Sequence, residues 1–348
     1  MKSLLAFALL SLGFLALPAS AQSEVDLSTL RAYLLENVTA LQAEAGALET
    51  AATEYYALAE AAGFDYAALW DSDAEAVWTA LAAARAAWMT ASPLYEQVEG
   101  IVAGVPSLSE YDVILDAGAS GEDDPEGGVP FDLTLRDGRV FERPGNLFGV
   151  LESSLWGTRP EYSSGVEADF DGNGEADFGE WLPDADLLVT AAETMRSYTD
   201  DLLESAEAWE PTVEDAFTAL VVMTPTMSEY FAAWRDSRFV LGDASTQSDF
   251  VVISRLADVE DILGGLLVVY DGVSPLVQTV DVAQDMQVRS GLLDLQGYVS
   301  DLYTQEQDGR VFTPEEADLF GSEAQLRAQA IAGQLAQVAA LAGVNLPE

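Results

Sequence analysis

A stripe of apolar residues with helical spacing begins at Leu27 and constrains the fold more than any other feature of the sequence. Its members follow one another mostly at steps of three or four residues and are Leu27, Leu30, Leu34, Val38, Leu41, Ala45, Leu48, Ala52 and Tyr55. Such steps place all of them on one side of an α-helix, which has about 3.6 residues per turn. A long helix with one apolar side must pack against other helices. The stripe therefore predicts a helix that ends at Gly63 and belongs to a helical bundle.

Other start and stop signals predict more helices along the chain. Ser72-Asp73-Ala74-Glu75 has the pattern of a capping box, and Pro93 further along predicts a kink or break. Later helices are expected over roughly 246–271 and 275–304. The last helix is expected to open at Thr313, which is followed by proline and two glutamates. The predicted fold class is all-α, an antiparallel helical bundle in two tandem halves.

The region between residues 105 and 145 departs from the helical pattern. Apolar and polar residues alternate around Asp137-Gly138, which predicts a small β-hairpin at about 130–143. The predicted organisation is therefore an N-terminal helical half over 22–157, a connecting loop over 158–183 and a C-terminal helical half over 184–348.

The first 21 residues have the composition of an export signal. Lys2 precedes an apolar run over 4–17, and Ala19-Ser20-Ala21 fits a cleavage site. We expect cleavage after Ala21 and a periplasmic or secreted protein. The alternative, a membrane anchor, is less favoured because the run is shorter than the ~20 residues that a bilayer requires. No later stretch predicts membrane insertion.

The charge of the chain excludes several partners. The sequence has 60 acidic residues against 14 basic ones, a formal net charge of −46. Nucleic acid and anionic lipid would both be repelled by such a chain. The charge suits a solvated surface in a salty exterior, and it also attracts cations.

Missing residue types exclude whole classes of catalyst. The sequence has no His and no Cys, and Lys2 is its only lysine. Serine triads, thiol nucleophiles and His-based zinc sites are therefore excluded, and without Lys2 a Schiff base is excluded too. Only carboxylates are left for acid–base work or for binding hard cations. The sequence accordingly predicts a binding protein rather than an enzyme.

The segment DFDGNGEADFGE, residues 169–180, fits the 12-residue calcium loop of EF-hands. The expected ligands are Asp169, Asp171, Asn173, Glu175 through its carbonyl, Asp177 and Glu180. Ala176 stands where a branched aliphatic residue usually pairs two hands, which indicates a lone loop. We expect a Ca²⁺ ion that stabilises the structure rather than regulates it. The alternative is an acidic turn that binds no ion.

A second segment, NLFGVLESSLWG at 146–157, resembles the central motif of the imelysin and EfeO-like family. The family motif is Gly-x-His-x-x-Glu, and the alignment places Glu152 on its Glu but Gly149 on its His and Leu147 on its Gly. AARAAWMTASP is similar to another family segment, with Ser92 where a Glu is usual. The stretch over 239–272 and the C-terminal AGQLAQVAALAGVNL also resemble the family, so the similarity covers most of the chain.

This resemblance implies a fold of two four-helix-bundle-like halves and a secreted protein linked to iron uptake. It also implies a metal site, which here lacks its imidazole. Glu152 with carboxylates such as Asp112 or Asp116 would supply oxygen ligands only. The alternative for Glu152 is a carboxylate at a helix terminus or paired with arginine. The family has been labelled a metallopeptidase, an activity that we do not expect without histidine.

Two other functions are kept open. The first is a scaffold or interaction protein that has lost the family metal site and keeps calcium for stability. The second is a carboxylate-based glycan hydrolase, which needs two facing carboxylates about 5–9.5 Å apart. The leading prediction is capture of a metal ion, iron above all, or of a small ligand.

Overall fold

The computed structural model describes residues 25–346 and consists mainly of α-helices. The predicted signal peptide, residues 1–21, lies outside the described residues. The helices are α1 Ser28–Ala61, α2 Tyr66–Val102, α3 Ser109–Asp112, α4 Leu147–Leu155, α5 Ala185–Ala208, α6 Val213–Met223, α7 Met227–Asp236, α8 Arg238–Leu241, α9 Arg255–Val280, α10 Val282–Gln307 and α11 Pro314–Leu341. The strands are β1 Leu133–Thr134, β2 Val140–Phe141, β3 Ser163–Glu167 and β4 Trp181–Pro183.

Helix α1 forms as the apolar stripe predicts. Leu30, Leu34, Val38 and Leu41 are all at most 1% exposed and face α2 and α5. Burial of each such side chain is worth about 1.5–3 kcal/mol relative to exposure. The stripe thus places α1 at the centre of a first helical group, which consists of α1, α2, α4 and α5.

Helix α2 is longer and more continuous than predicted. It begins at Tyr66, where the Asp65 side chain accepts the N–H of Ala68, and its backbone leaves helical geometry only at Asp73. Pro93 lies inside the helix without ending it. The proline removes one backbone hydrogen bond, but buried neighbours such as Tyr95 hold both sides of it in the core. Tertiary packing therefore outweighs the local break signal.

Two antiparallel hairpins interrupt the helices. Strands β1 and β2 pair with Leu133 opposite Phe141, as the sequence predicts. The turn needs Gly138, whose φ of +91° lies in the region that favours glycine. Strands β3 and β4 pair as the second hairpin and carry residues 169–180 at its tip. The acidic loop is therefore flanked by strands, not by the two helices of an EF-hand.

The second helical group consists of α6, α7, α9, α10 and α11. The predicted helices over 246–271 and 275–304 are shifted, since α9 runs through Pro275 and the junction with α10 lies at Asp281. The Asp281 side chain accepts two N–H groups of α10 and supplies the start signal there. At α11 the predicted capping box is present, with Thr313 and Glu316 bonded to each other's backbone.

The two groups meet along α2 and α9 and share one hydrophobic core. Helix α5 packs on α1 and α4, so it belongs to the first group although the sequence placed it in the C-terminal half. By composition and length α9 also passes as a membrane span, contrary to the sequence expectation. More than half of its most apolar window is buried in the bundle, as in the core helix of a soluble protein.

Candidate metal centre

Two glutamates near the end of α2 lie inside the protein. Glu96 and Glu99 are three residues apart on the side of α2 that faces the core, and they are 2% and 3% exposed. A spacing of three residues brings their side chains together on one helical face. Burial of a carboxylate is costly unless a proton, a partner or a cation compensates it. The pair therefore marks a site where a charge must be neutralised.

Asp116 completes a group of three carboxylates, here called the acid triad (Glu96, Glu99 and Asp116). It comes from a π-helical turn, Val113–Ala117, that directs it toward α2, and one ligand oxygen from each of the three residues lies within 4.8 Å of the others. Glu96 Oε2 and Glu99 Oε2 are buried and have no hydrogen-bond partner within residues 25–346. Unpaired buried oxygens are the ones that a hard cation would bind.

Arg255, at the start of α9, brings the opposite charge from the second helical group. Its guanidinium lies 2.7 Å from Asp258 Oδ2 and 3.5 Å from Glu96 Oε1. Burial and the neighbouring Asp258 raise the pKa of Glu96 well above its usual value, and Arg255 only partly opposes them. Burial likewise raises the pKa of Asp116, again against Arg255. One arginine does not balance this many acids, so protons or a cation must neutralise the others.

A cleft of about 340 Å³ leads from the surface to the triad. Glu99, Asp116 and Arg255 lie along it, and Gly149 and Arg159 line it as well. A much smaller cavity of about 10 Å³ adjoins the triad on the other side, between Ser92 and Glu152. That space admits no more than about one water molecule. The cleft thus opens two members of the triad, Glu99 and Asp116, toward the surface.

Glu152, the acid that the family motif aligns, is bound by backbone N–H groups. Its carboxylate accepts the backbone N–H groups of Phe250, Val251 and Val252, at 2.6, 2.9 and 3.0 Å. Burial raises the pKa of Glu152 to about 8, while these three bonds act in the opposite direction. Glu152 is not one of the triad; it fixes the segment before α9 that leads to Arg255.

The other two acids named from the sequence have different partners. Asp116 belongs to the triad, whereas Asp112 accepts a hydrogen bond of 2.7 Å from the Tyr95 hydroxyl. Burial raises the pKa of Asp112 to about 7, with the charge of Glu99 adding to the effect. Two of the positions that depart from the family pattern, Ser92 and Gly149, line cavities beside the triad.

Three acidic side chains of the loop over 169–180 lie close together. Asp169 accepts the backbone N–H groups of Gly172, Asn173 and Gly174, and Glu180 accepts those of Phe170, Asp171 and Asp177. Oxygens of Asp169, Asp171 and Glu180 lie within 4.8 Å of one another. Of the remaining expected ligands, Asn173 bonds to Asp177, and Glu175 is exposed. Gly174, with φ of +90°, makes the sharp turn.

Arg85 connects this loop to α4. Its guanidinium donates to the carbonyls of Gly179, in the loop, and of Leu155, at the end of α4, the latter at 2.7 Å. The rings of Trp78, Trp156 and Phe170 surround it at 5.0–5.6 Å. Burial lowers the pKa of Arg85 to about 10, so it is still charged at neutral pH. The loop and the helix that carries Gly149 and Glu152 are therefore held by one side chain.

Sequence reasoning missed Glu96, Glu99 and Arg255. A signal existed, because Glu96 and Glu99 in LYEQVEGIVAG fall at helical spacing on the apolar side of α2. A charged residue on an apolar stripe is a sign of a buried functional group. Arg255 gives a weaker signal, since only the packing of α9 on α2 brings it to the acids.

Comparison with known proteins agrees with this architecture. A search of curated proteins finds no match to the chain. The model of the imelysin family, which is classed as peptidase family M75, matches residues 29–342 and so covers nearly all of the described chain. The match and the all-helical architecture together show that this protein belongs to the imelysin family.

Proposed function

We propose that this imelysin-family protein captures a metal ion, iron above all, or a small ligand through the cleft that ends at the acid triad. The observation that carries the proposal is the pair of buried oxygens, Glu96 Oε2 and Glu99 Oε2, that have no partner in the described chain. The donor set contains only oxygen, which suits hard cations such as Fe³⁺ better than a site built from imidazole or thiolate. We further propose a periplasmic or secreted location and a role in an iron-uptake system, on the strength of the N-terminal sequence and the family.

The experiment is calorimetric titration of the chain from residue 22 with Ca²⁺, Fe³⁺, Fe²⁺, Zn²⁺ and Cu²⁺. Glu99→Gln keeps the shape of the side chain and removes its charge, and we expect it to weaken capture by about tenfold or more. Asp285→Asn is the matched control, because Asp285 is also a buried acid but is hydrogen-bonded to Tyr270 and Ser274 within the second helical group. Equal affinities of Glu99→Gln and the parent chain would refute the proposal.

The calcium loop is the second part of the proposal. The arrangement of Asp169, Asp171 and Glu180 supports a Ca²⁺ site. Its role would be structural, because Arg85 joins the loop to the end of α4. If the scaffold alternative is correct, the protein binds Ca²⁺ at this loop and no transition metal at all. The titration above distinguishes the two functions, because only metal capture predicts binding that depends on Glu99.

We also propose that the protein has no peptidase activity, despite the label of its family. The sequence offers no His and no Cys, so it lacks an imidazole base, a His-based zinc site and a thiol nucleophile. Incubation with a mixed peptide library and analysis by mass spectrometry tests this directly. Cleavage products that depend on the acid triad would contradict the proposal.

A further inference from the structure

Tyr230 brings a fourth oxygen to the acid triad from the opposite helical group. It lies on α7, is 8% exposed, and lines the cleft. Its hydroxyl donates a hydrogen bond of 2.5 Å to Glu99 Oε1. The Arg255 guanidinium lies over its ring, 4.7 Å from the centroid, and holds the ring in place. A phenol oxygen in this position is a ligand atom as well as a hydrogen-bond donor.

We propose that Tyr230 binds a ferric ion through its phenolate oxygen, together with carboxylate oxygens of the acid triad. This inference rests on the proposed metal capture and names both the oxidation state and the extra ligand. The ion would join α2 of the first helical group to α7 of the second. No other tyrosine in the described chain donates to a member of the triad, since Tyr95 bonds to Asp112 instead.

The geometry suits two ligands on one ion. Oxygens about 2.0 Å from an octahedral ion and at right angles to each other lie about 2.8 Å apart. The Tyr230 oxygen and Glu99 Oε1 are at 2.5 Å, so a separation of a few tenths of an ångström more would place both on the same ion. Glu99 Oε2, which has no partner in the described residues, remains available to the same ion.

The chemistry selects a trivalent ion. Without an ion, the Tyr230 hydroxyl keeps its proton and donates it in the hydrogen bond to Glu99 Oε1. A hard ion of high charge replaces that proton, which leaves to solvent as the iron–oxygen bond forms. One proton is therefore released by Tyr230 for each ferric ion bound. Ca²⁺ polarises its ligands far less and would leave the phenol protonated.

The test uses the chain from residue 22, saturated with Ca²⁺ and then titrated with Fe³⁺ supplied as a weak citrate chelate. We expect a visible phenolate-to-iron charge-transfer band that saturates at one equivalent, with tyrosinate modes in the resonance Raman spectrum. Tyr230→Phe should abolish the band and lower ferric affinity by about tenfold or more. Tyr95→Phe is the matched control, a buried tyrosine bonded to an acid outside the triad, and should keep the band.

The possible results separate the assignment of Tyr230 from the proposed metal capture. Ferric binding without a band in the parent chain, a band that survives in Tyr230→Phe, or a band lost only in Tyr95→Phe overturns the assignment of Tyr230 but leaves metal capture standing. No ferric binding at all overturns the proposed iron capture as well. The Raman spectrum of the parent chain decides the presence of tyrosinate even if Tyr230→Phe does not fold.

Discussion

The carboxylate of Asp249 lies against Gly149, so that a β-carbon added to Gly149 would meet Asp249 Oδ2 at 3.1 Å. Asn146 Oδ1 would lie at the same distance on another side. Both atoms are at the ends of side chains and can move by the few tenths of an ångström that a larger residue needs. Position 149 lines the cleft with Glu99 and Asp116, so a larger side chain there would enter the space beside the acid triad.

Gly149→His is expected to give the cleft an imidazole donor and to change its metal preference. Imidazole favours Zn²⁺ and other transition ions over Ca²⁺, so Zn²⁺ affinity should rise by about tenfold or more. Calorimetric titration with Zn²⁺ measures the change. Gly149→Gln, of similar size but without imidazole, is the control, and an equal gain in both variants would contradict the explanation.

The stability of the metal-free protein should fall as pH rises from about 4.5 to about 8. Burial raises the pKa of Glu152 to about 8, of Asp112 to about 7 and of Asp258 to about 6. Raised values mean that the folded chain holds protons that the unfolded chain has lost. The stabilisation is therefore complete below the unfolded pKa and disappears as pH passes each folded pKa. Each such group contributes at most about 1.4 kcal/mol per pH unit.

Urea unfolding at a series of pH values tests this effect, with Glu152→Gln expected to reduce the slope between pH 5 and pH 8. Repulsion among surface acids changes stability in the same direction, and about 1 M salt suppresses it because the Debye length falls to about 3 Å. Buried groups respond much less to salt. An identical slope for the parent chain and Glu152→Gln at high salt would show that Glu152 does not titrate in this range.

Calcium should stabilise the fold through the loop over 169–180. At a free concentration of 100 times the dissociation constant, binding adds about 2.7 kcal/mol to the free energy of unfolding. Asp169→Ala is expected to remove this gain, and differential scanning calorimetry with Ca²⁺ and with chelator measures it. Glu122→Gln, in another exposed acidic loop, should retain the full calcium response. A similar loss in both variants would indicate general charge screening instead.

Arg85→Ala should destabilise the protein by about 2–4 kcal/mol, because it leaves the carbonyls of Leu155 and Gly179 without their donor. Arg85→Lys should recover only part of the loss, since an ammonium lacks the planar fork and the stacking area. Denaturant unfolding measures both. Arg327→Ala, which removes an arginine 40% exposed and paired with Glu323, is expected to cost well under 1 kcal/mol.

The sequence predicted those helices whose ends and buried sides depend on neighbouring residues in the chain. The stripe of α1 and the capping box at Thr313 are examples, and the Asp137-Gly138 turn is another. Pro93 was expected to kink or break a helix and a new helix was expected from residue 275, yet Pro93 and Pro275 both lie within helices because buried neighbours outweigh one lost hydrogen bond. The position of α5 could not be inferred, since only its packing on α1 assigns it to the first group.

The candidate site was less predictable for the same reason. The family motif indicated Glu152, whose carboxylate accepts the backbone N–H groups of residues 250–252. The acid triad combines α2 with a π-helical turn, and Arg255 is added from α9. Spacing along the chain does not reveal such contacts, because they depend on how distant elements pack.

Helix α2 carries both Arg85 and Glu96, so insertions and deletions between these two residues would disturb the site. The two residues are 11 positions apart, about three helical turns and roughly 16 Å along the axis, so they share one face. Inserting or deleting a single residue between them would rotate the triad by about 100° away from Asp116 and Arg255. We expect family members that keep both the anchoring by Arg85 and the acid triad to vary in length in the loop over 119–128, but to conserve the number of residues between these two positions.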